Sequence, residues 1–413
     1  MTSNAIAPRQ LSPVYSATLF FALFVMSVSM SFVFAVLPSI GRDLGLSELQ
    51  LGLVVSPAAL AFVLANGVWG ALSERLGRKP IIVVAVAAAA LATLAFGWII
   101  EARLTGSISV LVVFLLLAGC RMALGALAGG LLPAAQAYIA DATPSDARTP
   151  ALAIIGAGFA LGMVMGPGIA AATSGFGVTV PFYIIGGMAG LATLLVLLTL
   201  AEQARERSST SKHKPATDFA RLWALLSVLV LAFTSYGILL QITGFRVQDQ
   251  FALSGSEATT KAGVALMAAA VGLVGTQIVV ARLRLSVGRI GWALLAGAGV
   301  MVIGTGVLGL ANDFDQLVCA MAIFGIGMGL VLPSTLGLLT MVAEAAGDQG
   351  RVGGWSGAAQ GLGLVFGPLV GSITYRMEHG APYGVAFALL VIAMLVAAFG
   401  VPRVLQHRSA RRG

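Results

Sequence analysis

Apolar stretches of about 18 to 25 residues recur along all 413 residues of this chain, and no other feature limits its fold as strongly. At about 1.5 Å of rise per residue, each is long enough to cross a hydrocarbon layer about 30 Å thick as a helix. Twelve such stretches are counted, over residues 17–38, 51–72, 81–100, 108–138, 150–173, 180–200, 221–245, 262–281, 290–310, 317–341, 352–375 and 382–402. Backbone amides cannot stay unpaired in lipid, and the stretches lack the two-residue alternation of a barrel strand, so helices are the expected form. Composition agrees, with 58% of residues hydrophobic and 10% charged, where a soluble globule carries about 25% charged. Most cytosolic enzymes are thereby excluded. The first stretch is too long for a signal peptide and its flank carries only Arg9, so it is read as retained.

The distribution of charge sets the expected topology. With both termini in the cytoplasm, eighteen of the 24 Lys and Arg residues fall on inner loops and tails. Arg42, Arg103, Arg246, Lys261 and Arg376 fall outside, and Arg121 alone lies within the membrane. The net charge of +8 is therefore spread over short loops rather than gathered into a nucleic-acid surface, and no nucleic-acid partner is expected. Cys120 and Cys319 sit in apolar stretches, His213, His379 and His407 lie in polar loops or the tail, and no cluster has metal-ligand spacing. Neither a metal nor a cofactor is expected, and the chain lacks a phosphate-binding G-x-x-x-x-G-K-[ST] loop for direct ATP coupling.

A polar stretch of basic residues and a Ser/Thr run separates the sixth and seventh apolar segments. The expected division is an N-terminal six-helix bundle over residues 1–200, a cytoplasmic linker over 201–220 and a C-terminal bundle over 221–413. The halves repeat. Gly162-x-x-x-Gly166-Pro167 in the fifth segment returns about two hundred residues later as Gly363-x-x-x-Gly367-Pro368 in the eleventh, and Pro133, Cys120 and Gly77-Arg78 return as Pro333, Cys319 and Gly288-Arg289. Two halves in parallel repeat place a substrate site between them near the midplane.

Three local patterns carry mechanism. The loop Gly70-Ala71-Leu72-Ser73-Glu74-Arg75-Leu76-Gly77-Arg78-Lys79 needs Gly77 for a tight turn, and its bases are placed to pair with Asp141 or with helix C-terminal carbonyls as a latch. Spaced glycines at Gly162 and Gly166 let helices approach closely, and Pro167 removes a backbone hydrogen bond and permits a kink. Arg121 lies about thirteen residues into the fourth segment, where a buried charge costs several kcal/mol unless it faces water or a partner. It serves either in a functional role or as a staple to carbonyls of neighbouring helices.

With these patterns in order, the chain resembles the major facilitator superfamily, and within it the bacterial tetracycline and multidrug efflux antiporters. The match to the family loop G-x-L-a-D-r-x-G-r-k covers Gly70, Leu72, Arg75, Gly77, Arg78 and Lys79, with Glu74 where the family has Asp. The stretches from Arg121-x-x-x-Gly125 to Asp141 and from Gly162 to Pro167 resemble the corresponding fourth-helix and antiporter motifs, although Ala170 and Ala171 replace the final two glycines. The resemblance implies an all-α membrane protein of twelve transmembrane helices in two six-helix bundles, the major facilitator fold, working as a monomer by alternating access. It also implies export, and a part for Arg121 in proton coupling or substrate contact.

All sixteen acids fall near segment ends and none at mid-membrane, whereas exporters of cationic drugs bury a carboxylate there. Around Arg121 the first segment offers Phe24, Met30 and other aromatic, Met and Ser side chains, and Asn66, Gln136, Gln241, Gln277 and Gln360 lie at membrane depth, with Phe233, Tyr236 and Phe245 on the seventh. The cavity so composed is apolar and net positive. The expected function is secondary active export of small amphiphilic or anionic compounds across a bacterial inner membrane in exchange for protons. The alternatives are a dedicated exporter of a polycarboxylate metabolite such as a citrate-type siderophore, and a proton-coupled uptake symporter. No nucleophile with a base and no paired carboxylates occur at membrane depth, so an enzyme is not expected.

Overall fold

The computed structural model of the chain describes residues 13–202, 222–283, 287–346 and 349–409, so the expected linker beyond Glu202 and the side-chain surroundings of Gly70 and Glu74 lie outside the described residues. Its helices are α1 (Pro13–Ser31), α2 (Val33–Asp43), α3 (Glu48–Leu76), α4 (Arg78–Leu104), α5 (Val110–Ala128), α6 (Leu131–Ala142) and α7 (Ser145–Thr173). There follow α8 (Val180–Thr199), α9 (Trp223–Phe251), α10 (Gly255–Leu283), α11 (Val287–Leu310), α12 (Phe314–Ala346), α13 (Gln349–Met377) and α14 (Ala381–Ser409). Among the described residues these make 12 spans long and apolar enough to cross a membrane, the first built from α1 and α2 and the fourth from α5 and α6. The chain is a multi-pass membrane protein.

Several helices start at side-chain caps. Ser47 and Gln50 form a reciprocal box at α3, the Ser47 N–H donating to Gln50 Oε1 at 2.9 Å and the Gln50 N–H to Ser47 Oγ at 3.3 Å. Ser254 and Glu257 do the same at α10, at 3.1 and 3.4 Å. Spans reach further than their apolar windows, α9 to Phe251 rather than residue 245 and α10 from Gly255 rather than residue 262 among them. Charges expected in loops are instead carried on helical turns because each finds a partner. Arg246 donates to the Leu308 and Ala311 carbonyls at 2.7 and 2.6 Å, capping α11, and the Lys261 ammonium lies 4.9 and 5.0 Å from the Phe251 and Phe314 ring centres.

The chain divides into two compact units, Met1–Val33 with Pro57–Ser208, and Phe34–Ser56 with Ser209–Gly413. In the first, a core of small and branched residues from α1, α4, α6 and α8, including Ala22, Val25, Ile82, Ala85, Ala134, Tyr138 and Ala189, is almost fully buried. Lipid tails are as apolar as these side chains, so close packing and hydrogen bonding rather than water exclusion hold such helices together.

The glycine repeat has the same structural use in both units. Along α7, a methyl group added at Gly158, Gly162 or Gly166 would run into Phe20, Phe24, Ser27 or Ser31 of α1, and Ser31 Oγ donates to the Gly162 carbonyl at 3.2 Å. Along α13, Gly363 and Gly367 meet Phe233, Thr234 and Gly237 of α9 in the same manner. Both helix pairs are in backbone contact because the glycines permit it. Helix α7 runs through Pro167 and α13 through Pro368 as continuous elements.

Candidate functional site

Two of the spans are interrupted, and at each break a side chain from another helix supplies a donor. The ladder of α1 ends with the Phe32 N–H bonded to the Val28 carbonyl at 3.0 Å, after which α2 starts afresh. The carbonyls of Ser29 and Met30 beyond that rung accept from Arg121, Nη1 at 3.3 Å and Nη2 at 2.9 Å. The fourth span breaks at Gly129 and Gly130, where Trp69 Nε1 donates to the Ala126 carbonyl at 2.6 Å. Helix breaks in lipid survive only where such partners satisfy the freed backbone groups.

Arg121 is 5% exposed, and no carboxylate pairs with it among the described residues. It borders a narrow cleft whose other walls include Ser29, Phe32, Thr93, Phe96, Cys120 and Leu124. Ser29 Oγ and, two residues earlier, Ser27 Oγ are buried without a hydrogen-bond partner. The guanidinium carries five N–H donors, of which the two carbonyls take two. The staple arrangement is therefore present, and the same cation still edges a cleft with an unsatisfied hydroxyl beside it.

The other expected side chains of this unit are dispersed. Met30 contributes its backbone carbonyl and is half-buried, and Phe24 is half-buried and stacks on Phe21 at 6.5 Å between ring centres. Asn66 is half-buried on α3 and Gln136 is exposed on α6. At the α3–α4 turn, Gly77 adopts φ +99°, the left-handed region that suits glycine, and Arg78 donates from Nε to Asp141 at 3.2 Å and from Nη1 to Ser73 at 2.6 Å. Lys79 Nζ donates to the Leu197 carbonyl at the end of α8 at 2.8 Å.

In the second unit, Gln241 is fully buried with neither amide atom hydrogen-bonded. It lies on α9 between Gly237, which abuts Gly367 and Pro368 of α13, and Gly244, which abuts Pro38 and Ser39 of α2. Tyr236 is half-buried, stacked on Phe324 at 6.2 Å and edge-on to Phe233 at 6.4 Å. Gln360 is half-buried and its Nε2 donates to the Ser356 carbonyl at 3.2 Å.

A constellation that the sequence reading passes over as loop charge gathers in this unit. Arg42 donates to Asp249 at 2.5 Å and to Glu48 at 2.8 Å, with its guanidinium 4.8 Å from the Phe245 ring centre and 5.7 Å from that of Tyr375. The Tyr375 hydroxyl donates to the other Asp249 oxygen at 2.7 Å. The available signal was scarcity, since so few cations fall on that side that each invites a reason.

Twelve membrane spans and glycine-packed helix pairs repeated in both halves define the class, a polytopic membrane transporter. Residues 19–348 match the model of the Major Facilitator Superfamily, and the chain belongs to that family. It is 25% identical over 383 residues to Multidrug resistance protein 1 of Bacillus subtilis (strain 168), covering 90% of this chain and 92% of that one. It is 23% identical over 390 residues to Quinolone resistance protein NorA of Staphylococcus aureus (strain COL), covering 91% and 95%. Among solved structures, a bacterial homologue of the human lysosomal transporter Spinster, in an inward-facing and occupied conformation, aligns with TM-score 0.66 at 18% identity over 95% of both chains. The human organic anion transporter MFSD10 (TETRAN) aligns with TM-score 0.63 at 18% identity, over 94% of this chain and 100% of that one. The chain is a transporter and not an enzyme.

Proposed function

We propose that this transporter exports small amphiphilic or anionic organic compounds across a bacterial inner membrane by alternating access, in exchange for protons. The observation that carries the reading is Arg121, a buried cation with no paired acid among the described residues, bordering an apolar cleft beside the unsatisfied Ser29 hydroxyl. A cation in low dielectric attracts an anionic or hydrogen-bond-accepting group and repels another cation. The curated relatives are named for resistance to drugs, which supports efflux as the direction. The excess of Lys and Arg on one set of loops supports cytoplasmic termini.

A dedicated exporter of a polycarboxylate metabolite is the second reading, favoured by the same lone cation. Protein in liposomes with an internal pH dye, challenged in turn with lipophilic cations, neutral amphiphiles and citrate-like anions, separates them. Proton flux with neutral compounds and anions supports broad export, flux with polycarboxylates alone supports the dedicated exporter, and flux driven chiefly by cations overturns both.

A further inference from the structure

The internal repeat contrasts the two halves at Arg121. Gly166 of α7 meets the Val28 carbonyl and Ser31 on α1, and Gly367 of α13 meets the Thr234 carbonyl and Gly237 on α9. Ser29 and Ser235 therefore hold the same place in the two units, each one residue past the carbonyl that touches the glycine. In the second unit α9 runs unbroken through Ser235, whose hydroxyl has the Leu231 and Ala386 carbonyls as acceptors at 3.0 and 3.3 Å. Cys120 returns as Cys319 in the repeat, so Arg121 returns as Ala320, which is fully buried. One half thus packs this position with an uncharged residue and a satisfied serine.

The other half departs from that arrangement in three ways. Helix α1 breaks at Phe32, so the Ser29 carbonyl, which in an unbroken helix would accept from the Val33 N–H, accepts from Arg121 Nη1 instead. The Ser29 hydroxyl is fully buried with no hydrogen-bond partner. Arg121 brings a full charge and N–H donors beyond those that its two carbonyls take, with no carboxylate paired to it among the described residues. All three departures adjoin the same cleft, which Ser29, Val33, Thr93 and Arg121 wall together with apolar side chains.

Donors gathered without compensating negative charge define what fits there. One cation facing no acid calls for a single negative charge, and the narrow cleft has room for about one water-sized body. A water would satisfy the donors and leave the buried charge uncompensated, whereas an anion does both. We propose that Arg121 and the Ser29 hydroxyl bind a monovalent anion of halide size, such as chloride, in the cleft of the first unit. Its consequence for transport rests on the export reading, since an anionic substrate group that reaches Arg121 displaces the halide and the two compete.

The test is binding of radiolabelled chloride to the full chain, purified in detergent with gluconate as the replacing anion at constant ionic strength. Chloride is expected to bind saturably and to be displaced by bromide but not by sulfate. Ser29→Ala is expected to weaken binding about tenfold through the lost hydrogen bond to an ion, and Arg121→Gln to abolish it. Ser27→Ala, which removes an equally buried hydroxyl that is not on the cleft wall, is expected to leave it unchanged. Absence of saturable binding overturns the site, as does undiminished affinity in a Ser29→Ala protein of wild-type thermal stability, so the test stays decisive even where Arg121→Gln does not fold. In liposomes, chloride is expected to slow the proton flux that citrate-like anions drive. Saturable halide binding with no flux for any substrate class means that the export reading fails and the halide site stands, and anion-driven flux with no halide binding means the reverse.

Discussion

Arg121 Nη2 lies 2.9 Å from the Met30 carbonyl oxygen, so a charge on the fourth span completes the hydrogen bonding of a break in the first. The same side chain is placed to hold α1 in shape and to present positive charge to the adjoining cleft. Arg121→Ala leaves the Ser29 and Met30 carbonyls without this donor, at about 1–3 kcal/mol for each unsatisfied group, partly offset by no longer burying a charge. The thermal midpoint in detergent is expected to fall by several degrees and substrate flux by more than tenfold. Arg121→Lys, a point charge without the fork, is expected to recover stability only in part. A fully stable Arg121→Ala protein would show that the carbonyls need no donor.

The glycine stripe predicts opposite signs at two positions six residues apart on one helix. An added methyl at Gly162 meets Phe24 and Ser27, whereas nothing lies within 4 Å of one added at Gly156. Gly162→Ala is expected to destabilise by about 1–3 kcal/mol through overpacking. Gly156→Ala is expected to stabilise by about 0.5–1 kcal/mol through helix propensity. Thermal unfolding of the two variants side by side checks the pair, and equal effects would refute close α1–α7 packing.

Gln241 buries both ends of its amide without a partner, a cost of about 1–3 kcal/mol. Gln241→Leu removes that cost at similar volume, so the melting temperature is expected to rise while transport falls, the mark of a side chain kept for use rather than stability. A lower melting temperature would show that the amide is satisfied in the folded protein.

Helix α9 ends with Ala252 at φ +50°, a left-handed turn that costs a residue bearing a Cβ roughly 1–2 kcal/mol, and the following Leu253 N–H closes it onto the Gln248 carbonyl at 3.1 Å. Ala252→Gly removes the strain but gains unfolded-state entropy, for a net stabilisation of about 0.5–1 kcal/mol. Calorimetry on the purified variant would detect it, and a loss of stability would mean the methyl group makes contacts worth more than the strain.

Spans, family and internal repeat were all legible in the order of the residues, because hydropathy and helix length are local properties and Gly162, Gly166, Gly363 and Gly367 keep their spacing in both halves. Arg121 was legible as a lone charge in an apolar stretch, and Gly77, Arg78 and Asp141 as one cluster. The breaks at Phe32 and Gly129–Gly130 were hidden, since a hydropathy window reads straight through them. What only the tertiary structure decided was who meets whom. Arg121 is 91 residues from the Met30 carbonyl and Arg42 is 207 from Asp249, and no periodicity reports contacts at such separation. A charge in a membrane helix must find a partner, and the sequence states that need, but only the packing of helices in space supplies the partner.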